Sequence, residues 1–218
     1  QKTAYEIRNC DWSSDVCSSD LDYGLLNEDI EPEHEWYGIP RPGAYLVAAD
    51  GTVADKSFYE SHQVRASAED MLYRGFGVEY TDERTAELAT PHLKACASFV
   101  GGSVRRQQVV RLAVRLDIGA GLHVYGSPLP EGYISLEITV RPHPALEIGA
   151  AQYPENSPFR FEALDETVPA YSGRVEVGFE CRGVGDDRDE ALEIDVELRY
   201  QACDDEQCFM PETLMLRV

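Results

Sequence analysis

The fold is decided by residues 192–218, which read LEIDVELRYQACDDEQCFMPETLMLRV. From residue 192 to residue 201, apolar side chains alternate with charged or polar ones. This period of two predicts a β-strand with one buried face and one solvent-exposed face. A second, shorter alternation at Leu214, Leu216 and Val218 follows the polar segment 204–207. We therefore predict a β-hairpin with residues 204–207 as its turn.

Cys203 and Cys208 flank this turn, with four residues between them. Cysteines that face each other across a hairpin meet the Cα separation of about 4.4–6.8 Å that a disulfide requires. A bridge over so small a loop stabilises the fold by only about 2 kcal/mol in the chain-entropy description. At an exposed tip it is also open to attack by another thiolate. From these residues alone, the pair is either a reversible dithiol/disulfide or a structural bridge.

The composition excludes several classes of partner. The 218 residues carry a formal net charge of −21 and have a pI of about 4.5, and their number fits one or two domains. Such an acidic chain does not bind nucleic acid or an anionic membrane through a general basic surface. No apolar run approaches the ~20 residues of a transmembrane helix. We expect no nucleic-acid partner, no transmembrane segment in this chain, no cofactor and no metal ion.

Residues 1–21 resemble a translated sequencing adapter. The resemblance is carried by residues 1–7 (QKTAYEI) and 11–21 (DWSSDVCSSDL), on either side of a three-residue insert. We interpret this segment as an artefact of metagenomic sequencing that lies outside the natural fold, and we expect the natural upstream sequence to be missing. Cys10 and Cys17 then carry no evolved function. Four cysteines remain for interpretation: Cys96, Cys181, Cys203 and Cys208.

Residues 22–80 predict a strand, a tight hairpin and a helix. An apolar strand at 44–48 precedes the turn signal Asp50-Gly51, and a return strand follows it. Ser67, with Asp70 three residues later, predicts the N-terminus of a helix. Residues 38–46 (GIPRPGAYL) and 50–53 (DGTV) resemble the C-terminal half of an AhpC/TSA redoxin domain of the peroxiredoxin type. The resemblance implies a truncated thioredoxin-like α/β fragment.

This redoxin resemblance implies a role for Pro42 and the absence of the family's nucleophilic cysteine. Pro42 would occupy the family's cis-proline position. The family's nucleophilic cysteine would lie upstream, in the half that the adapter-like segment replaces, so we expect no peroxidase activity. His34 and His62 have no acidic residue or cysteine at a diagnostic spacing, and we interpret them as surface residues.

Residues 81–91 are polar and acidic and predict a linker. Beyond it, seven or so short alternating segments predict strands, at 93–99, 110–118, 122–125, 134–140, 146–148, 175–181 and in the terminal hairpin. Their spacing, without a helical period, predicts an antiparallel β-sandwich over residues 92–218. Cys96 and Cys181 lie inside these strands, where a free cysteine behaves as a small hydrophobic residue. The sequence is also compatible with a disulfide between them.

Three blocks of this region carry a more specific resemblance. They are residues 121–125 (GLHVY), 165–173 (DETVPAYSG) and 200–213, which contain YQAC, CF and PET. Together they are similar to the N-terminal, immunoglobulin-like domain of the DsbD thiol:disulfide interchange proteins. The resemblance implies a module that passes reducing equivalents to or from a thioredoxin-like protein or domain through a mixed disulfide. Cys203 and Cys208 would form the redox pair, with Cys208 as the attacking thiol and Cys203 as the resolving one.

The same resemblance implies neighbours for the pair and a compartment. His123, Tyr125, Tyr200 and Phe209 would line the site. The loop at 159–169 would shield it, with Phe161 or Leu164 as the capping residue. The periplasm is favoured, and the redoxin half is equally compatible with the cytoplasm. Two other functions stay open: a non-catalytic immunoglobulin-like binding domain with a structural disulfide, and a fragment of a peroxiredoxin-type antioxidant enzyme.

Overall fold

The computed structural model describes residues 24–25, 27, 30–35, 37, 39–61, 63–80, 85–161, 166–185 and 192–218. The adapter-like segment 1–21, His62 and Leu164 lie outside these residues, as does the side chain of Phe161. The chain divides into two compact units, Gln1–Arg65 and Ala66–Val218. The division falls earlier than the linker that the sequence predicts.

In the first unit, the described residues form the predicted β-hairpin. Strand β1 (Gly43–Val47) pairs antiparallel with strand β2 (Val53–Phe58). In the turn, an Asp50 side-chain oxygen accepts hydrogen bonds from the backbone N–H of Thr52 at 3.0 Å and from its hydroxyl at 2.7 Å. Gly51 has a φ of +87°, which glycine adopts without steric cost. The hairpin is confirmed, and the thioredoxin-like character of this fragment stays a prediction.

Two single-residue predictions fall in this unit. Within the described part of the chain, the one cis peptide bond precedes Pro128, so the bond before Pro42 is trans. The assignment of Pro42 to the redoxin family's cis-proline position stays a prediction. An X–Pro bond favours trans by about 0.5–1 kcal/mol unless tertiary contacts select cis. His34 is exposed, as expected of a surface residue.

Helix α1 (Ala68–Phe76) belongs to the second unit, whereas its position in the sequence placed it in the redoxin-like fragment. The predicted N-cap is confirmed, because Ser67 Oγ accepts a hydrogen bond from the backbone N–H of Asp70 at 3.0 Å. Gly77 ends the helix in the left-handed conformation, with a φ of +64°.

Polar contacts attach this helix to the strands of the second unit. The hydroxyl of Tyr73 donates a hydrogen bond to Glu176 and accepts one from Arg115 at 3.3 Å. Arg115 in turn donates to Glu176 at 3.0 Å. These contacts join residues far apart in sequence, so the local pattern of the helix did not indicate which unit it joins.

Part of the predicted linker is a strand. Strand β4 (Thr85–Ala89) pairs antiparallel with strand β5 (Leu93–Phe99). Lys94 and Glu87 form a salt bridge of 2.9 Å across the pair. The linker prediction is wrong for these residues because an edge strand with mostly exposed side chains lacks the apolar alternation that marks a half-buried one.

The second unit is an antiparallel β-sandwich, as predicted for residues 92–218. The further strands of the chain are β3 (Arg65–Ala66), β6 (Gln108–Ile118), β7 (His123–Tyr125), β8 (Glu137–Val140), β9 (Leu146–Ile148), β10 (Ser157–Phe161), β11 (Glu166–Tyr171), β12 (Arg174–Gly183), β13 (Asp195–Tyr200), β14 (Ala202–Cys203) and β15 (Glu212–Arg217). The largest sheet of the sandwich has the strand order β4-β5-β6-β12-β9. A second sheet has the order β15-β13-β8, and a third has the order β10-β11-β7-β14.

The main core lies between the sheets and follows the predicted alternation. Strand β6 contributes Val110, Leu112, Val114 and Leu116, and β13 contributes Val196 and Leu198, all fully buried. Burying a side chain of this size stabilises the fold by about 1.5–3 kcal/mol relative to exposure. These two strands therefore account for much of the hydrophobic stabilisation of the sandwich.

Cys96 and Cys181 are both free thiols, so no bridge joins them. Cys181 is fully buried in the main core, and burial raises the pKa of its thiol to about 12. Cys96 is half-buried on β5, where burial also raises its pKa. Both thiols are therefore protonated at neutral pH, and the structural interpretation fits them.

The third sheet, β10-β11-β7-β14, has two apolar faces. Its inner face contributes Val124, Tyr171 and Ala202 to the main core. The residues that alternate with these along the strands point to the outer face and form a separate cluster. This cluster contains Tyr125, Val168, Ala170 and Cys203, with Leu129, Tyr133 and Phe159 packed against them. We call this the outer cluster. Because side chains alternate along a strand, one short sheet serves both the core and the site.

Candidate functional site

Cys203 and Cys208 form a disulfide at the tip of the terminal hairpin, with an S–S distance of 2.17 Å. The backbone N–H of Phe209 donates to the carbonyl of Ala202, and that of Asp204 donates to the carbonyl of Gln207, both at 2.9 Å. The cysteines are thus a directly opposed, non-hydrogen-bonded antiparallel pair. In such a pair the Cα atoms approach closely, and here they are 4.0 Å apart, just below the expected range.

The two cysteines differ in exposure. Cys203 lies on β14 within the outer cluster and is 0% exposed. Cys208 lies beyond the turn and is exposed. The disulfide therefore joins a fully buried residue to an exposed one.

The turn between the cysteines is fixed by Asp204. Its Oδ1 accepts hydrogen bonds from the backbone N–H groups of Gln207 at 2.7 Å and of Glu206 at 2.8 Å. These bonds favour the ionised carboxylate and lower the pKa of Asp204. Asp205 and Glu206 are exposed beside it, so the rim of the site is negative.

Tyr125 lies directly beside the sulfur of Cys208. Its hydroxyl oxygen is 3.3 Å from Sγ of Cys208, and its ring packs edge-on against Tyr133 with centroids 5.2 Å apart. Burial, followed by the charge of Glu166, raises the pKa of Tyr125. The phenol is therefore protonated at neutral pH. Since a disulfide sulfur carries no hydrogen, the hydroxyl is the donor.

His123 lies on β7 opposite Cys203, as its Cα partner in the pairing of β7 with β14. It is 3% exposed, and its ring stacks on Phe159 with centroids 3.8 Å apart. Burial lowers the pKa of His123, while the charges of Asp205 and Asp204 oppose that shift. The imidazole is therefore neutral at neutral pH.

The capping interaction that the structure describes involves Phe159, which the sequence analysis did not select. Phe159 lies on β10 opposite Val168 of β11, so both face the outer cluster. Much of the predicted loop at 159–169 is therefore part of a β-hairpin. The structure does not describe the side chains of the predicted capping residues, Phe161 and Leu164. The sequence did contain a signal for this residue, because Phe159 is an apolar position in the alternating segment 157–161.

Tyr200 lies away from the outer cluster, in the main core. Its hydroxyl donates to Glu212 at 2.8 Å and is 2.9 Å from Thr90 Oγ1, and its pKa is raised to about 12, chiefly by burial. Glu212 also lies 2.8 Å from Nδ1 of His92. We call Thr90, His92, Tyr200 and Glu212 the buttress network.

Phe209, the residue after Cys208, connects the hairpin to this network. Its ring lies 4.5 Å from that of His92, and its carbonyl accepts a hydrogen bond from the side chain of Gln201 at 2.9 Å. Of the predicted lining residues, His123 and Tyr125 thus meet at the disulfide, whereas Tyr200 and Phe209 support the hairpin from the core side. His92 and Glu212 were not selected from the sequence.

The described residues contain no group of three or more histidine, cysteine or acidic side chains arranged to hold a metal ion. Within the same residues, no helix has both the length and the apolar character needed to cross a membrane.

The fold and the site together define a class: an immunoglobulin-like β-sandwich with a disulfide, buried on one side, at the tip of a hairpin. The family described as thiol:disulfide interchange protein DsbD, N-terminal, matches residues 93–218. The match covers more than half of the chain, and the chain belongs to this family. No curated protein matches the chain.

Solved structures of related domains are similar at low sequence identity. The N-terminal periplasmic domain of ScsB from Proteus mirabilis is 18% identical over 61% of this chain and 49% of its own, with a TM-score of 0.45. This chain therefore spans about half the length of that protein. The reduced DsbD N-terminal domain of Neisseria meningitidis is 17% identical over 49% of this chain and 74% of its own, with a TM-score of 0.35. A complex of the DsbD and PilB N-terminal domains from the same organism matches at 16% identity over 49% of this chain and 73% of that chain, with a TM-score of 0.35.

Proposed function

We propose that the second unit is a thiol–disulfide exchange module in which Cys203 and Cys208 alternate between a disulfide and a dithiol. The observation that carries the proposal is their unequal exposure: Cys203 is 0% exposed and Cys208 is exposed. The rate of exchange depends on access to the sulfur that is attacked, so unequal exposure directs a partner to one sulfur of the pair. A bridge that only fastened the hairpin would not need this difference. Membership of the DsbD N-terminal family supports the same function.

Reduction of the module begins at Cys208. A partner thiolate attacks Sγ of Cys208, the Cys203–Cys208 bond breaks, and its electron pair goes to Cys203, which takes up a proton. The partner's second thiolate then attacks its own sulfur in the mixed disulfide and releases Cys208. Two electrons and two protons pass from the partner dithiol to the hairpin.

Oxidation runs in the opposite sense and assigns the two roles. The Cys208 thiolate attacks the disulfide of the next partner and forms a mixed disulfide. Cys203 then attacks Cys208, closes the bridge and releases the reduced partner. Cys208 is thus the attacking thiol, Cys203 is the resolving thiol, and no cofactor enters the reaction.

The surface around Cys208 fits a thioredoxin-like protein or domain. Met210, two residues beyond Cys208, is 83% exposed and offers an apolar contact next to the reactive sulfur. Asp205 and Glu206 give that contact an acidic rim. A partner with an apolar surface around its own cysteine and basic residues at the edge would be complementary. We place this exchange in the periplasm, where disulfides persist unless a relay reduces them.

Differential alkylation across a series of glutathione redox ratios tests the proposal. Free thiols are blocked with one reagent, the disulfide is reduced, and the released thiols are labelled with a second, heavier reagent. We expect peptides with Cys203 and Cys208 to change label together within the range of ratios. Cys181, free and buried, serves as the internal reference that keeps the first state throughout. A pair that stays bridged at every ratio would contradict the proposal.

A non-catalytic binding domain with a structural disulfide is the alternative. It is favoured by the packing of Cys203 among Tyr125, Val168 and Ala170, since the bridge then also fixes the hairpin on the outer cluster. In that case, Cys203→Ser with Cys208→Ser would lower stability by about 2 kcal/mol. The double variant would still bind the partner, and the wild-type protein would not exchange disulfides with it.

We further propose that the first unit is the remnant of a redoxin domain, on the resemblance of residues 38–46 and 50–53. The missing half would carry the cysteine that exchanges with the Cys203–Cys208 pair within one natural protein. The chain itself then has no peroxidase activity. The gene sequence that encodes the region before residue 22 tests this proposal, which requires a redoxin cysteine motif there.

A further inference from the structure

One ring nitrogen beside the disulfide is buried without a hydrogen bond. Nε2 of His123 has no hydrogen-bonding partner in the part of the chain that the structure describes, and the residue is 3% exposed. Leaving a buried polar atom unpaired destabilises the folded state. Such atoms are rare in native proteins, and redox or catalytic roles are among the reasons for them.

The register of the sheet places this imidazole next to Cys203. His123 and Cys203 are directly opposed in the antiparallel pairing of β7 and β14. Directly opposed residues have Cβ atoms about 4.5–5.5 Å apart and side chains on the same face. Both residues lie on the outer face of the sheet, and the stacked ring of Phe159 covers His123 on that face.

We propose that His123 is the general base that deprotonates the resolving thiol Cys203, and the acid that returns the proton when the reaction reverses. This inference rests on the proposed exchange function. Cys203 is fully buried, so solvent cannot readily take its proton. In the disulfide state, Cys203 has no thiol hydrogen to donate, and Nε2 of His123 is unpaired. In the dithiol state, the S–H group supplies the missing donor.

The resolving step balances as follows. The S–H bond of Cys203 breaks and its proton moves to Nε2 of His123. The sulfur's electron pair forms the bond to Sγ of Cys208, and the bond between Cys208 and the partner breaks with its electron pair on the partner sulfur. The partner thiolate then takes the proton from the imidazolium. In this step Cys203 is oxidised, the departing partner sulfur is reduced, and Cys208 stays at the oxidation level of a disulfide.

The surroundings of the ring suit a base that is unprotonated at rest. The groups that bear on it are Tyr125 on its own strand, Asp204 and Asp205 of the turn, and the two cysteines. Burial lowers the pKa of His123 more than the two carboxylates raise it, and Tyr125 remains a neutral phenol. The neutral tautomer with its proton on Nδ1 leaves Nε2 free to accept.

Two-phase release of thionitrobenzoate separates the two thiols. Reduced protein, with Cys10, Cys17 and Cys96 replaced by serine, is mixed with 5,5′-dithiobis(2-nitrobenzoic acid). The first equivalent of thionitrobenzoate reports attack by Cys208, and the second reports resolution by Cys203. We expect His123→Phe, which keeps an aromatic ring against Phe159, to leave the first phase unchanged. It should slow the second phase by roughly 10²-fold, the lower end of what a positioned general base contributes.

The pH profile separates a base from a structural role. With His123 present, the second-phase rate should level off above the pKa of the imidazole. In His123→Phe, it should keep rising by about tenfold per pH unit, because only the equilibrium thiolate reacts. His143→Phe, a half-buried histidine on the β8–β9 connection, is the matched control and should behave as wild type.

Each outcome decides the proposal. An unchanged second phase in His123→Phe, or a wild-type rate that rises without levelling, overturns the role of His123. If the variant does not fold, the wild-type profile alone still decides the question. If the second phase is absent from the wild-type protein, the exchange function itself fails, which is a different result from an exchange that does not depend on His123.

Discussion

The hydroxyl oxygen of Tyr125 lies 3.3 Å from Sγ of Cys208. When the disulfide opens, the same O–H group faces the sulfur that becomes a thiolate. Burial keeps the phenol protonated, so it can donate to that charge. This contact counteracts the acidic turn residues, whose charges disfavour a thiolate. In the proposed exchange, Tyr125 would favour the thiolate form of Cys208.

Replacing this tyrosine should make the attacking thiol less acidic. In the Cys203→Ser background, we expect Tyr125→Phe to raise the pKa of the Cys208 thiol by about one to two units, since a hydrogen bond to a charged group contributes about 1.5–3 kcal/mol. The ultraviolet absorbance of the thiolate against pH measures this shift. Tyr171→Phe removes a hydroxyl that donates to the carbonyl of Pro154 at 3.1 Å and should leave the titration unchanged. Equal shifts in both variants would contradict the role of Tyr125.

Trapping with glutathione disulfide should distinguish the two cysteines. Reduced Cys203→Ser should accumulate a stable glutathione adduct at Cys208, because the resolving thiol is missing. Reduced Cys208→Ser should form little adduct at Cys203, which is buried. Mass spectrometry of the intact protein and of its peptides gives the occupancy at each site. Comparable adducts on both cysteines would show that burial does not assign the roles.

Removing the ring that covers His123 should expose the disulfide. Phe159→Ala loses a stack worth about 0.5–1.5 kcal/mol and opens the outer cluster to water. We expect reduction of the disulfide by dithiothreitol to become several-fold faster, as followed by alkylation and mass spectrometry. Phe76→Ala, at an exposed phenylalanine of α1, is the control and should reduce at the wild-type rate. A Phe159→Ala protein that reduces no faster would exclude a shielding role.

The buttress network should contribute to stability without affecting exchange. Tyr200→Phe leaves Glu212 and Thr90 without the hydroxyl between them, and we expect the free energy of unfolding to fall by about 1–3 kcal/mol. Urea denaturation measures the change. Tyr133→Phe removes an exposed hydroxyl contact with Glu166 and should leave the free energy of unfolding nearly unchanged. A large drop in exchange rate for Tyr200→Phe would instead include it in the reactive site.

His123 should make the protein less stable in mild acid. Its pKa in the folded protein lies below the unfolded value of about 6.5. Between the two values the unfolded chain binds more protons, so this contribution is fully present above pH 6.5 and is lost as the pH falls. Urea denaturation at pH 7.5 and pH 5 should show a smaller loss for His123→Phe than for wild type. Identical losses would mean that the imidazole protonates freely in the folded state.

The strands of the sandwich could be predicted because each buries one face. The alternations at 93–99, 110–118 and 175–181 all correspond to strands of the main core, since a period of two matches the geometry of a half-buried strand. Strand β4 was not predicted because its position at the sheet edge leaves it without an apolar face. Helix α1 was recognised from its caps, whereas its attachment to the sandwich depends on the contacts of Tyr73 with Glu176 and Arg115.

By itself, the sequence determined the terminal hairpin, its disulfide partners and the strands that carry it, because turn residues and alternation act over a few positions. Only the tertiary structure decided the surroundings of the pair. It buried Cys203 and left Cys208 exposed, placed the Tyr125 hydroxyl 3.3 Å from Sγ of Cys208, and stacked Phe159 on His123. Those contacts join strands distant in the chain, and their geometry follows from the register and packing of the third sheet, which no local pattern encodes.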